Sequence, residues 1–99
     1  VAPQALHLMN NQQVKMWATQ FADQIISIQP DSREAQVRLV YTQALSRQPE
    51  EEELRLTLES MQRMAEILKV ESPESDVERS VLRNVCHALL NSAAFIYVD

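Results

Sequence analysis

The chain has 99 residues, of which 45% are hydrophobic and 23% charged, values that fit one globular domain with a single core. It contains no glycine, where average usage would give about seven, and no Asn-Gly or Asp-Gly pair, so β-hairpins are disfavoured and an all-α fold is predicted. The net charge of −5, with scattered basic residues, argues against nucleic acid and anionic lipid as partners.

The first predicted elements are a short N-terminal helix and a longer one. Pro3 suits a first helical turn, and the short helix is predicted over Gln4–Met9. The longer helix is predicted over Gln12–Ile28, ending before Pro30, because a residue that precedes proline is pushed out of the helical region. Its apolar residues recur every three or four positions: Val14, Trp17, Ala18, Phe21, Ala22 and Ile25.

The third predicted helix follows at once. Asp31 is expected to cap its start and to form a capping box with Glu34. The helix is predicted to stop near Ser46-Arg47, with Arg47 meeting the last carbonyls and the negative end of the helix dipole. Its expected buried residues are Val37, Val40, Tyr41, Ala44 and Leu45.

The acidic run Glu50–Glu53 is predicted to open the fourth helix, where free amides and the helix dipole offset the repulsion between carboxylates. Ion pairs are expected on its outside from Arg55 to Glu59 and from Glu59 to Arg63. The helix is predicted to end at a loop over Val70–Ser75. Its apolar repeat consists of Leu54, Leu58, Met61, Ala65 and Leu68.

The last quarter of the chain, Val77–Val98, is predicted to be the central helix of the domain. Between Arg83 and Asp99 it has no formally charged residue apart from His87. It carries two apolar stripes, and a helix with two such stripes is expected to be enclosed by its neighbours. The stripes are Val77, Val81, Val85 and Leu89, and Leu82, Cys86, Leu89 and Ala93.

Two further features of this helix are predicted. Its start is capped either by Ser75 with Glu78 or by Ser72 ahead of Pro73, and it breaks at Asn91-Ser92. No apolar run is long enough to span a bilayer. The predicted architecture is a small all-α bundle of four main helices plus the short N-terminal helix, with antiparallel neighbours.

The chemistry-bearing residues favour a non-catalytic chain. Side chains at adjacent helical positions point about 100° apart, so Cys86 and His87 cannot readily bind one metal ion without another ligand. His7 could in principle supply that ligand. Cys86 is instead predicted to be a small core residue, and His87 a histidine at the core edge bonded to a backbone carbonyl. No serine lies in a nucleophile-elbow pattern. No catalytic, metal or cofactor residue is therefore predicted.

Other conspicuous side chains receive structural interpretations. The acidic run lacks the spaced ligands and the glycine of a calcium loop and is interpreted as a solvated helix start. Trp17, Phe21 and Tyr41 have the spacing of core residues, and Met61 and Met64 are interpreted as gap-fillers.

Three stretches resemble one known family, the planctomycete-specific C-terminal domain of unknown function. Pro3 to Asn10 resembles its P-Q-A-L-x-L-L/M-N motif, and Leu89 to Asp99 its closing L-L-N-S-N-E-F-L-Y-V-D. The middle stretch, Arg38 to Leu54, is similar to R-x-x-Y-x-x-A-L-G-R-x-P-x-x-x-E-L. Departures are Ser46 for the usual glycine, Glu50 where a capping Thr is common, and Ala93-Ala94 for Asn-Glu.

The resemblance implies a C-terminal fragment of a large exported bacterial protein, secreted or periplasmic, whose upstream part often carries a cytochrome-c-like haem segment. It implies no activity. The leading hypothesis is a structural or interaction module whose partner is the rest of the parent polypeptide or another protein. The alternative is a binding subdomain whose wall of a ligand or redox site would include His7, Trp17 and His87. A helix-turn-helix DNA reader is a distant third hypothesis, disfavoured by the negative charge.

Overall fold

The structure, a computed structural model, describes residues 11–96, and the side chains of residues 12–92. These residues form four helices: α1 (Asn11–Ile28), α2 (Arg33–Leu45), α3 (Glu51–Glu71) and α4 (Val77–Ile96). No strand occurs in this part of the chain, so the predicted all-α bundle is confirmed. The predicted short helix over Gln4–Met9 lies outside the described residues, as do Tyr97, Val98 and Asp99.

The bundle is built around α4, which packs against α1, α2 and α3. Asp23, in the second half of α1, pairs with Arg79 at the start of α4, so these two helices run antiparallel. Arg33 at the start of α2 pairs with Glu78 at the start of α4, so these two run in the same direction. Among the described helices, α1 and α3 do not touch each other. The prediction that α4 is the central helix is confirmed.

All four helices contribute to one core. The fully buried side chains are Ala18, Ala22 and Ile25 from α1, Val37 and Val40 from α2, Met61 and Ala65 from α3, and Val81, Leu82 and Cys86 from α4. Burying a side chain as large as Ile25, Met61 or Leu82 contributes about 1.5–3 kcal/mol relative to leaving it exposed. The heptad-like spacing in α3 and the two stripes in α4 include every buried apolar residue described for these helices. The other described members of these sets are only half-buried: Leu58, Leu68, Val77, Val85 and Leu89.

Trp17 is an exception to the apolar pattern of α1. The sequence predicts it as core, but the side chain is 50% exposed. The buried stripe of α1 is centred on Ala18, Ala22 and Ile25, and Trp17 lies one residue, or about 100°, to the side of Ala18. Phe21, one turn further along the same edge, is half-buried. The apolar spacing therefore predicted the position of the buried face of α1 correctly but predicted that face to be wider than it is.

The cap of α2 differs from the prediction by one residue. Ser32, in extended backbone conformation, accepts a hydrogen bond on its hydroxyl oxygen from the Ala35 amide at 3.1 Å, and α2 begins at Arg33. The predicted box between Asp31 and Glu34 is therefore wrong. Glu34 instead pairs with Arg38, one turn later, at 3.2 Å. Asp and Ser are nearly equal as N-caps, so the sequence alone could not choose between neighbours of these two types.

The start of α4 also uses a different cap. Asp76 accepts from the Arg79 amide at 3.2 Å, so both predicted alternatives, based on Ser75 and Ser72, are wrong. The Ser75 hydroxyl donates instead to the Ser72 carbonyl at 2.7 Å and closes the loop after α3. That loop is shorter than predicted, because α3 continues through Val70 to Glu71.

The predicted break in α4 does not occur. The helix continues through Asn91-Ser92 to Ile96. Asn and Ser are weaker helix formers than Ala, but neither blocks a helix as proline does. Both side chains are exposed, so they add no packing conflict.

Candidate functional site

The two residues with most potential chemistry, Cys86 and His87, do not act as a pair. Cys86 is fully buried, and this burial raises the pKa of its thiol to about 12, so the group stays protonated and unreactive near neutral pH. The prediction that Cys86 is a core residue is confirmed. His87 is half-buried, at the edge of the core.

His87 does not make the predicted bond to a backbone carbonyl. Its Nδ1 lies 3.4 Å from the Asn91 side-chain nitrogen. Nε2 is enclosed and has no hydrogen-bond partner among the described residues. The prediction failed because Asn91, one helical turn away, competes for the ring.

His87 lines a depression of about 400 Å³ between α1 and α4. The other lining residues are Lys15, Ala18, Thr19, Arg83 and Asn84. Lys15 and Arg83 thus bring two positive charges to one depression from two different helices. We call this depression the Lys15–Arg83 cleft.

Trp17 lines a different depression, of about 290 Å³. Its apolar lining, which we call the Trp17 face, consists of Trp17 and Phe21 of α1, Ala44 of α2 and Leu90 of α4. Gln20, Gln24 and Gln43 form the polar part of the lining. The structure therefore does not bring Trp17 and His87 to one wall, and His7, the third residue of that predicted wall, lies outside the described residues.

The connection between α2 and α3 explains most of the middle stretch by which the chain resembles a known family. Arg47 pairs with both carboxylate oxygens of Glu53, at 2.7 and 2.9 Å, and its guanidinium lies 5.5 Å from the centre of the Tyr41 ring. Pro49 is buried beneath this connection. The predicted contact of Arg47 with the last carbonyls of α2 is wrong, since its backbone acceptor is the Gln48 carbonyl. These residues shape a turn between helices and create no reactive group.

Glu53 is the most strongly perturbed carboxylate in this connection. The Arg47 guanidinium, helped by the Glu50 amide that donates at 2.8 Å, lowers the pKa of Glu53 to about 2. Glu50, Glu51 and Glu52 are exposed, as expected for a solvated helix start. Further along α3, Arg55 pairs with Glu59 as predicted, at 2.9 Å, whereas Arg63 contacts Ser60 rather than Glu59.

Two ion pairs between helices could not be found from the sequence, since they join residues 45 and 56 positions apart. Arg33 pairs with both oxygens of Glu78 and also donates to Gln62 at 2.9 Å, so it joins α2, α4 and α3. Arg79 pairs with both oxygens of Asp23. Each guanidinium lowers the pKa of its carboxyl partner through these hydrogen bonds.

Gln36 is the one buried polar side chain in the core of the described region, and the sequence analysis missed it. Its amide nitrogen donates to the Gln29 carbonyl at 2.8 Å, which ties α2 to the end of α1. Its Oε1 is buried without a hydrogen-bond partner among the described residues. The feature of the sequence that could have indicated the burial of Gln36 is its position directly beside Val37, on the core face of α2.

No three His, Cys, Asp or Glu side chains of residues 11–96 are grouped so that they could hold a metal ion. None of the helices described here combines the length and apolar character that crossing a membrane requires. The perturbed groups, Glu53, Glu78 and Asp23, are each bound to an arginine and serve the fold.

The structure is a small all-α bundle whose surface depressions include the Lys15–Arg83 cleft and the depression that carries the Trp17 face. A family model for proteins of unknown function, DUF1553, matches residues 1–61, and the chain belongs to this family. The match includes α1, α2 and the first half of α3, and with them the Arg47–Glu53 connection. No curated protein and no solved structure matches the chain.

Proposed function

We propose that the chain is a non-catalytic helical module that packs, through the Trp17 face, against the rest of a larger parent polypeptide. The observation that carries the proposal is the exposure of Trp17, the single tryptophan of the chain, beside the half-buried Phe21 and Leu90. Tryptophan is enriched at the centres of protein interfaces because its large side chain gains much from being covered.

The position of the face supports this partner. Because α1 and α4 are antiparallel, the start of α1 and the end of α4 lie at the same end of the bundle. Trp17 is in the second turn of α1, and Leu90 is within two turns of Ile96. The helix ends through which α1 and α4 join other polypeptide therefore lie at the end of the bundle that carries the Trp17 face, so a contact there needs only a short connection and costs little chain entropy.

Two finer parts of the proposal have separate support, one from the resemblance and one from the described side chains. The similarity to the planctomycete-specific C-terminal domain supports a parent that is exported, secreted or periplasmic, with any haem segment upstream. The carboxylates with lowered pKa values, Asp23, Glu53 and Glu78, are each bound to an arginine, which supports a role without catalysis. Substrate turnover or a haem absorption band from the 99-residue chain alone would contradict it.

The proposal is tested by measuring whether the chain binds the rest of its parent when the two are separate polypeptides. The 99-residue chain and the preceding part of its parent are produced separately and titrated by calorimetry. Trp17→Ser is expected to weaken association by about tenfold or more, as for an interface hot spot. Ile67→Ser is the matched control. The exposed fraction of Ile67 on α3, 55%, is similar to the 50% of Trp17, but Ile67 does not line the Trp17 face. Equal effects of the two substitutions would contradict the proposed surface.

A further inference from the structure

The cations of the Lys15–Arg83 cleft differ from most others in the chain. Five of its nine Lys and Arg residues form ion pairs, namely Arg33, Arg38, Arg47, Arg55 and Arg79. Neither Lys15 nor Arg83 has an ion-pair partner among the described residues, although the chain has 14 acidic residues. Acidic side chains are therefore abundant, but none of the described ones neutralises this cleft.

The nearby acid on α1 is already engaged. Asp23 lies two turns along α1 from Lys15, and both of its oxygens accept from Arg79, at 2.7 and 3.1 Å. Arg83, one turn after Arg79 on α4, is half-buried, and Lys15 faces it from α1. Two like charges that converge without a counter-charge repel each other, and an anion bound between them would remove that cost.

We propose that the Lys15–Arg83 cleft binds a dianionic oxyanion, a phosphate or sulfate group, held between the ammonium of Lys15 and the guanidinium of Arg83. Two positive charges match the charge of about −2 that a phosphate group carries near neutral pH. The planar fork of arginine can donate two parallel hydrogen bonds to such a group, and lysine adds a point charge from the opposite wall. A carboxylate carries one charge and would bind less tightly.

Two other polar residues of the cleft, Thr19 and Asn84, have partners elsewhere. The Thr19 hydroxyl donates to the Lys15 carbonyl at 3.0 Å, and the Asn84 amide nitrogen lies 2.9 Å from the Met64 sulfur. Binding therefore depends on the two cations. His87 also lines the cleft, and its ring is a reporter of occupancy.

Nuclear magnetic resonance of the whole 99-residue chain tests the proposal. Inorganic phosphate is added against sodium chloride at constant ionic strength, and saturable shifts are expected for the amides around Lys15 and Arg83 and for the His87 ring. Lys15→Gln and Arg83→Gln should each weaken binding by about tenfold, the usual effect of losing one charge-assisted hydrogen bond. Arg63→Gln, at an exposed arginine outside the cleft, should leave binding unchanged.

Further ligands separate the sources of the oxyanion. Sulfate should bind comparably to phosphate, and acetate more weakly. Tighter binding of O-phosphoserine than of inorganic phosphate would assign the cleft to an esterified group, and weaker binding would assign it to the free ion. Shifts that do not saturate, that acetate reproduces equally, or that Arg63→Gln reduces as much as Arg83→Gln would overturn the proposal.

Discussion

The second half of α4 is the more apolar and contains no Lys, Arg, Asp or Glu, yet the first half is the more deeply buried. In the first half, Val77–Cys86, three side chains are completely buried, and Glu78 and Arg79 are paired with α2 and α1. In the second half, His87–Ile96, the described side chains are half-buried or exposed, and Leu89 and Leu90 only pack against the core from its edge. We call these the enclosed half and the open half.

The difference shows that an apolar stripe is buried only where neighbouring helices close over it. Around the open half, Leu89 lines a mostly apolar groove with Leu56 of α3, and Leu90 lines the Trp17 face. These apolar side chains stabilise the isolated bundle less than their type suggests, because much of their surface remains in contact with water. The same exposure makes them available to a partner, which is the basis of the proposed function.

The largest expected effect contrasts the two halves directly. Leu82→Ala in the enclosed half should lower the free energy of unfolding by about 2–5 kcal/mol, because it leaves a cavity among buried side chains. Leu90→Ala in the open half should cost about 1 kcal/mol, because the half-buried side chain leaves no closed cavity. Urea unfolding followed by circular dichroism measures both. Equal losses would mean that α4 is enclosed along its whole length.

The sequence predicts the buried parts of the structure better than the parts that remain open. Local periodicity identified the four helices and most of the core, since each stripe depends only on spacing within its own helix. It could not show that Trp17 and Leu89 remain partly open, because that depends on where other helices end. The Arg33–Glu78 pair depends on long-range packing and carried no local signal.

The candidate site was predicted less well than the fold. Of the residues proposed for one binding wall, Trp17 and His87 line two separate surface depressions, and His7 lies outside the described residues. Lys15 and Arg83 were missed, because a pair of cations 68 positions apart carries no pattern until α1 and α4 pack antiparallel. In the sequence the basic residues are simply scattered along the chain.

A second prediction concerns acid stability at the α2–α3 connection, which adjoins the open half. The pKa of Glu53 is about 2 in the fold, below its ordinary 4.5, so its pairing with Arg47 stabilises the fold above about pH 5. That contribution should be lost as the pH falls from about 5 towards 2. Arg47→Gln should therefore lower the melting temperature only slightly at pH 7, because solvent screens this exposed pair, and should flatten the decline over this range.

The control for this effect is Arg63→Gln, which removes an arginine without a carboxylate partner in the described region. Thermal melting at pH 7, 5, 4 and 3 measures the profiles of both variants and the parent chain. Asp23 and Glu78 also have lowered pKa values, so part of the decline in stability with falling pH should remain in every variant. A profile for Arg47→Gln that is parallel to that of the parent chain would contradict the assigned pairing.

The smallest expected effect is at Ser46, the residue where α2 ends. Its φ of 57° lies in the left-handed region, where a residue other than glycine is strained by about 1 kcal/mol. Ser46→Gly should relieve this strain, and the greater freedom of glycine in the unfolded chain should cancel roughly half of the gain. We expect a net increase in unfolding free energy of about 0.5 kcal/mol.

Two substitutions separate this conformational effect from a loss of the serine hydroxyl. Ser46→Ala keeps the Cβ atom and should therefore give no stabilisation, while Ser60→Gly, in the middle of α3, should destabilise by about 0.5–1 kcal/mol. If Ser46→Ala stabilised as much as Ser46→Gly, the left-handed conformation would not be the cause. A gain confined to glycine would show that the left-handed backbone of Ser46, at the start of the α2–α3 connection, is strained.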